Sequence, residues 1–275
     1  VREILASLGL RKFTDLIGRS DLLEQLPGLT AKQQALDLQP ILESAGTRRD
    51  FQPYCTEKRN PPFDTGRLNQ DILAAAAKAL EHNESWAGHF GIRNNDRTVG
   101  ATLSGAVARR SGRQRLAPDQ LRVNHTGTAG QSHGCWNAPG ISIHLEGDAN
   151  DYVGKGMSGG RIVLTTPEVD RRQARHNVIC GNACLYGATG GELFANGQAG
   201  ERFAVRNSGA HAVIEGAGPH ACEYMTGGTV VIMGPFGPNL AAGMTGGELF
   251  LLDQNRQIDR YLNPEFVEAT ALEEQ

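Results

Sequence analysis

The residues best suited to chemistry are two histidine–cysteine neighbourhoods, His125 with His133 and Cys135, and His220 with Cys222. A thiolate nucleophile needs an imidazole within hydrogen-bond reach and a third group that orients it. Neither neighbourhood offers that third group at a recognisable spacing, so both are read as packing residues. Gly154-Lys155-Gly156-Met157-Ser158-Gly159 satisfies the dinucleotide pattern G-x-G-x-x-G. That pattern holds a pyrophosphate only where a strand precedes it and a helix follows. Here the next segment, Arg161 to Thr165, is β-prone, and the glycines belong to a repeated corner. Asp148, Asn150 and Asp151 supply oxygen ligands but miss the alternate spacing and distal Glu of a calcium loop. Arg171, Arg172 and Arg175 lie in an insertion and are read as a solvated loop or a contact for another domain. The expectation is therefore no catalytic, cofactor-binding or metal-binding residue in this chain.

The elements that would position such residues are repetitive. Ser158-Gly159-Gly160, Thr189-Gly190-Gly191, Ser208-Gly209-Ala210, Thr226-Gly227-Gly228 and Thr245-Gly246-Gly247 are copies of one signature. Each leads into a short apolar run such as Ile162-Val163-Leu164 or Val230-Val231-Ile232. Successive steps from Gly190 to Gly209, Gly227 and Gly246 are 19, 18 and 19 residues. Looser copies are Pro139-Gly140-Ile141 and Ser104-Gly105-Ala106. A period near 20 residues with short strands and no intervening helices predicts a parallel β-helix of about seven coils, a solenoid held together by stacking. The structural corners expected from this signature are Gly105, Gly140, Gly159, Gly160, Gly190, Gly191, Gly209, Gly227, Gly228, Gly246 and Gly247. Corners need a left-handed backbone or close approach, both of which Gly permits.

Three regions are expected. Residues 1–87 form a helical and irregular lead-in packing on the solenoid, residues 88–253 the glycine-rich β-helix, and residues 254–275 a tail with a short helix from Asn263. In the lead-in, Ile4, Leu5 and Leu8 mark a helix ending at Gly9, and Thr14 reads as an N-cap. The clearest helix is Asn69–His82, with Ile72, Leu73, Ala76, Ala79 and Leu80 on one face. Expected strands include Val99–Ala108, Leu121–Asn124, Ile141–Leu145, Ile162–Thr165, Val178–Cys180 and Phe203–Val205. Insertions at Arg109–Asp119 and Pro167–Asn177 interrupt the period.

Composition agrees with a thin-cored stack: 35 of 275 residues are Gly and only 39% are apolar. The net charge of −3 draws the chain toward neither nucleic acid nor membrane. Cys55, Cys135, Cys180, Cys184 and Cys222 contain no C-x-x-C pair, which predicts reduced thiols in a cytoplasmic setting rather than disulfides or a cluster. A start at Val1 is read as the mark of a piece excised from a longer protein.

Several stretches resemble a known family in collinear order. They are Gly9-Leu10-Arg11 through Asp15-Leu16-Ile17-Gly18-Arg19-Ser20-Asp21-Leu22-Leu23, Asn94-Asn95-Asp96-Arg97-Thr98-Val99-Gly100 and Gly127-Thr128-Ala129-Gly130-Gln131-Ser132. Gly147 to Gly156, Leu185 to Gly191, Gly200 to Gly209 and Glu223 to Gly228 continue the match. Together they resemble the carboxy-terminal G-x-G-x-G domain of the glutamate synthase large subunit. The resemblance implies a right-handed β-helix that braces the amidotransferase and FMN synthase domains without catalysing anything. It also implies a parent oxidoreductase that makes glutamate from glutamine and 2-oxoglutarate. That parent would carry FMN, an iron–sulfur cluster and, on a small subunit, FAD fed by NADPH. The implied partners are the other large-subunit domains and that flavin-bearing small subunit, with no cofactor in this fragment. A stand-alone ligand-binding module or a polysaccharide-acting enzyme is the alternative. The latter would need a carboxylate-lined groove where the repeats carry Gly, Thr, Val and Leu.

Overall fold

The computed structural model describes residues 1–43, 66–110 and 116–272, which leaves Cys55 and most of the Pro40–Gly66 stretch outside the described residues. Two compact units divide the chain, Val1–Phe63 and Asp64–Gln275. The boundary therefore precedes the long helix, which the sequence analysis grouped with the lead-in. The first unit holds short helices α1 (Arg2–Ser7), α2 (Ala31–Gln34) and α3 (Gln39–Leu42). Gly9 turns left-handed two residues past α1 (φ 70°), as its breaker role requires. Thr14 lies inside a 3-10 turn, Phe13–Leu16, rather than capping it, while Thr30 caps α2 by accepting from the Gln33 amide.

The second unit is a parallel β-solenoid of about six turns. Helix α4 (Arg67–His82) leads into β1 (Trp86–Ile92) and α5 (Ala101–Arg110). Then come β2 (Leu121–Ala129), β3 (Ile141–Ala149), β4 (Ser158–Thr165) and the short β5 (Val178–Cys180). β6 (Gly190–Ala199), β7 (Ser208–Ala217), β8 (Thr226–Ile232), β9 (Gly246–Leu251) and α6 (Ile258–Tyr261) complete it. The strands pair in the order β1-β2-β3-β4-β6-β7-β8-β9, with β5 bridging β3 and β6.

Register makes the core a set of columns. Val123, Ile143, Ile162, Leu193, Ala212, Val230 and Leu249 are successive Cα partners, as are His125, Leu145, Leu164, Ala195, Ile214, Ile232 and Leu251. Neighbouring coils of a parallel sheet lie about 4.8 Å apart. Identical faces therefore bury each other, each Leu, Ile or Val contributing about 1.5–3 kcal/mol. α4 buries Ile72, Ala76, Ala79 and Leu80 in the same core. Asn69 ties that helix to the first coil, its side chain donating to the Thr98 carbonyl (3.2 Å) and accepting from the Gly100 amide (3.0 Å).

Between strands each coil runs through a staircase of turns with left-handed backbone at alternate residues. The left-handed positions are Ser132, Gly134 and Trp136; Tyr152, Gly154 and Gly156; Ala183, Leu185 and Gly187. Arg202, Ala204 and Arg206; His220, Cys222 and Tyr224; and Asn239, Ala241 and Gly243 repeat the pattern. Most of these residues are not glycine, and interchain-type hydrogen bonding between coils explains how they persist. In the first five triplets the outer amides donate forward and the middle one backward; in the last, Ala241 donates back to Ala221 (2.9 Å). Arg202 donates to the Pro219 carbonyl (2.8 Å), Arg206 to Glu223 (2.9 Å) and Ala204 back to Cys184 (2.8 Å). Each left-handed non-Gly residue costs roughly 1–2 kcal/mol, and a satisfied buried amide offsets a penalty of similar size. The expected strand at Phe203–Val205 is part of this staircase. Its buried apolar residues line the core from turns rather than from a strand.

Two further expectations are corrected. Val99–Ala108 is not a strand: after a left-handed Gly100, α5 buries Leu103 and Val107 one helical turn apart. Gly105 therefore lies in a helix, not at a corner, and without that copy the coil count falls to about six. The tail helix forms at Ile258–Tyr261, ahead of Asn263. Past it, Leu240 donates to the Tyr261 carbonyl (2.9 Å) and accepts from the Asn263 amide (3.0 Å), so the tail occupies the position of a next coil.

The paired glycines divide the work. The second of each pair is left-handed, at Gly160, Gly191, Gly228 and Gly247, and Gly140 shares that conformation (φ 71°, 99°, 87°, 89° and 89°). The first has no positive φ; a Cβ there would strike the preceding coil. At Gly246 it would lie 2.6 Å from the Thr226 carbonyl oxygen, at Gly159 2.6 Å from Pro139, and at Gly227 it would meet the Ser208 oxygen. Gly187, left-handed (φ 63°), has nothing within 4 Å of a built Cβ. We expect Gly187→Ala to lose roughly 1–2 kcal/mol and Gly227→Ala to lose more, despite its ordinary φ. Urea denaturation of both variants checks this; the reverse order would remove contact between coils as the reason for the first glycine.

Candidate functional site

His125 occupies a core column directly after Phe90, where later coils place Leu145 and Leu164. Its ring meets that of His133 edge-on, with centroids 5.2 Å apart. Both are buried, and none of their four ring nitrogens has a hydrogen-bond partner. Burial, followed by the neighbouring imidazoles His89 and His125 respectively, pushes the His125 pKa down to about 4 and that of His133 to about 3. The sequence neighbours do not form a Cys–His pair. Burial raises Cys135 to about 11, against a smaller opposing pull from Lys155. Burial likewise raises Cys222 to about 12. His220 faces away from it and meets Glu223 instead (Nδ1 to Oε1, 2.6 Å). Cys180 and Cys184 are also buried; their mutual hydrogen bond and desolvation hold the Cys180 thiol well above its ordinary pKa. Thiols held protonated in this way are poor nucleophiles and poor metal ligands.

The acidic and glycine-rich candidates are structural. Asp148 accepts from the Thr128 hydroxyl (2.8 Å), and Asn150 donates to the Ala129 carbonyl (2.9 Å). Asp151 accepts from the Asn182 amide (2.7 Å), and Asn182 in turn accepts from the Glu201 amide (2.8 Å). Asp148 and Asn150 thus bond back to the preceding coil, while Asp151 and Asn182 cap the start of the next staircase. Among the described residues no group of three or more His, Cys, Asp or Glu could hold a metal ion. Gly154 and Gly156 are left-handed steps ahead of β4, with no helix behind them to receive a phosphate. The arginine insertion forms a 3-10 segment, Glu168–His176, that exposes Arg172 and Arg175. It is fastened to β6 by a bond from the Gln198 side chain to the Arg175 carbonyl (2.8 Å).

What the sequence analysis missed is the outer face of the staircase. Asp151, Tyr152, Lys155, Asn182, Ala183, Tyr186 and Arg202 line a concavity of about 420 Å³. The Lys155 ammonium lies over two rings, 5.0 Å from the centre of Tyr152 and 5.9 Å from that of Tyr186. Trp136 and Tyr224 are exposed on flanking coils. Each has a glycine on the next coil, since a Cβ at Gly156 would lie 2.9 Å from Trp136 and one at Gly243 2.7 Å from Tyr224. The signal was present, because these residues recur with the staircase period. It becomes legible only when the turns, not the strands, are aligned.

The histidine pair generates a pH prediction. Its folded-state pKa values lie below the unfolded 6.5, so the unfolded chain binds more protons in the window between them. Stability should be complete above pH 6.5 and fall as pH drops toward 4 and 3, by an amount on the order of several kcal/mol. Replacing both residues by Leu should flatten the upper part of that fall, above about pH 5 where carboxylates titrate little. Urea midpoints measured against pH decide it, and an unchanged slope would release both imidazoles from this role.

Residues 69–275 match the family described as GXGXG motif. The chain is 45% identical to "Glutamate synthase [NADH]" of Schizosaccharomyces pombe over 273 residues, covering 99% of this chain and 13% of that protein. It is 46% identical to "Ferredoxin-dependent glutamate synthase 2" of Synechocystis, covering 97% of this chain and 17% of that one. To "Glutamate synthase [NADPH] large chain" of Bacillus subtilis it is 40% identical, covering 100% of this chain and 18% of the relative. It thus spans less than a fifth of the length of each of these relatives. With its stacked, glycine-cornered coils matched from α4 to the closing tail, this chain belongs to the GXGXG-motif family and is related along its length to glutamate synthases.

Proposed function

We propose that this chain is a non-catalytic scaffold domain of a glutamate synthase, bracing the amidotransferase and FMN synthase domains. Those domains would convert glutamine and 2-oxoglutarate to glutamate. The observation that carries the reading is similarity spread over nearly the whole chain to synthases named for three different electron donors, NADH, ferredoxin and NADPH. A segment shared across donors serves what those enzymes have in common. The burial that keeps His125 and His133 neutral and Cys135 and Cys222 protonated also favours a scaffold, because it deactivates these groups as bases and nucleophiles.

In this reading FMN and the iron–sulfur cluster sit in the remaining large-subunit domains and FAD on a small flavin-bearing subunit. The assembly works in the cytoplasm; no described helix is long and apolar enough to cross a membrane. Co-expression of this chain with the rest of a large subunit lacking it should give a stable complex and restore glutamine-dependent glutamate formation. Calorimetric titration of the chain with glutamate or 2-oxoglutarate should be flat. Failure to associate, or micromolar binding of either compound, would replace the brace with a ligand-binding module.

A further inference from the structure

The exposed side of the staircase combines a cation without an ion pair among the described residues, open aromatic faces and a backbone largely engaged between coils. Lys155 forms no ion pair within the described residues; its ammonium lies over the Tyr152 and Tyr186 rings. Arg206, exposed two coils further on, likewise has no ion pair there. Two carboxylates beside this face are engaged. Glu223 is held by His220 (2.6 Å) and Arg202 (3.4 Å), and Asp151 accepts from the Asn182 amide (2.7 Å). The staircase amides donate to adjacent coils, so a partner is offered side chains and not a strand edge.

We propose that this face docks an acidic segment of the remaining large-subunit domains, with carboxylates seated on Lys155 and Arg206 and apolar contacts on Trp136, Tyr152 and Tyr224. The inference rests on the scaffold reading and names the surface that scaffold uses. Two observations favour an extended segment over a small ligand. Trp136 and Tyr224 are exposed on coils to either side of those that line the concavity, separated by four coil steps, or about 19 Å at parallel-sheet spacing. The relatives also carry more than four-fifths of their length outside the matched stretch. An ammonium poised over aromatic rings is partly desolvated before the partner arrives, which strengthens a carboxylate contact at that point. Trp, Tyr and Arg are the residues that most often anchor interfaces.

The test uses the two-piece complex described above. Lys155→Glu/Arg206→Glu should weaken association roughly tenfold or more, and wild-type affinity should fall as salt is raised. Arg122→Glu, an exposed position on β2, should leave association unchanged. Thermal melts of each variant chain report folding, and Lys155→Gln supplies a milder variant with a smaller loss in the same direction. If the wild-type pieces associate and the double variant binds equally well, the docking face is wrong while the scaffold reading stands. If Arg122→Glu weakens binding as much as the double variant, the effect is general charge and the assigned face also falls. If the wild-type pieces do not associate at all, the scaffold reading fails and this inference with it.

Discussion

The structure depends on coils lying close enough for the backbone of one to satisfy the next along its whole circumference. In the strands that is ordinary parallel pairing. In the staircases it requires amides that point alternately forward and backward, which a backbone alternating between right- and left-handed conformations provides. Arg202, Ala204 and Arg206 illustrate the arrangement: their amides reach Pro219, Cys184 and Glu223 in turn. The same closeness explains the first glycine of each pair. A side chain at Gly246 would have to share space with the Thr226 carbonyl oxygen.

That constraint also decides what chemistry the molecule supports. A solenoid with a narrow apolar interior disfavours the charged form of a titratable group turned inward. His125 and His133 are therefore neutral neighbours in an apolar column, and Cys135 and Cys222 stay protonated. Asn207 shows the polar alternative that the interior tolerates: its side chain donates to the Ala210 carbonyl (2.9 Å) and accepts from the Gly209 and Ala210 amides (3.2 and 2.9 Å). A polar side chain survives there when it closes a turn. Chemistry that meets other molecules is left to the outside of the turns, where Lys155, Arg206 and the aromatic rings stand on a rigid backbone.

Much of the architecture was legible in the sequence, because stacking demands that equivalent residues recur. The glycine pairs, their apolar runs and the step near 19 residues predicted the columns that β3, β4, β6, β7, β8 and β9 form. Legibility failed where a local motif had a second use. Ser104-Gly105-Ala106 looks like a corner, but Leu103 and Val107 at helical spacing place it in α5. Phe203 and Val205 alternate like a strand, yet they line the core from consecutive turns. The glycine count also hid the staircase, since Tyr152, Leu185, Ala204 and Cys222 occupy left-handed positions where Gly is the expected residue.

Composition and periodicity alone determined that this chain builds a thin parallel solenoid, because only a stacked repeat buries so few apolar residues effectively. Tertiary structure alone decided which polar residues face inward and that Lys155 and Arg206 have no ion pair among the described residues. Side-chain direction in the staircase follows from alternating left-handed steps, and those steps are held by hydrogen bonds to coils 17 to 35 residues away. No local pattern encodes such bonds. Lys155 lies between Tyr152 and Tyr186 because two coils meet there, a proximity that exists only once the stack has formed.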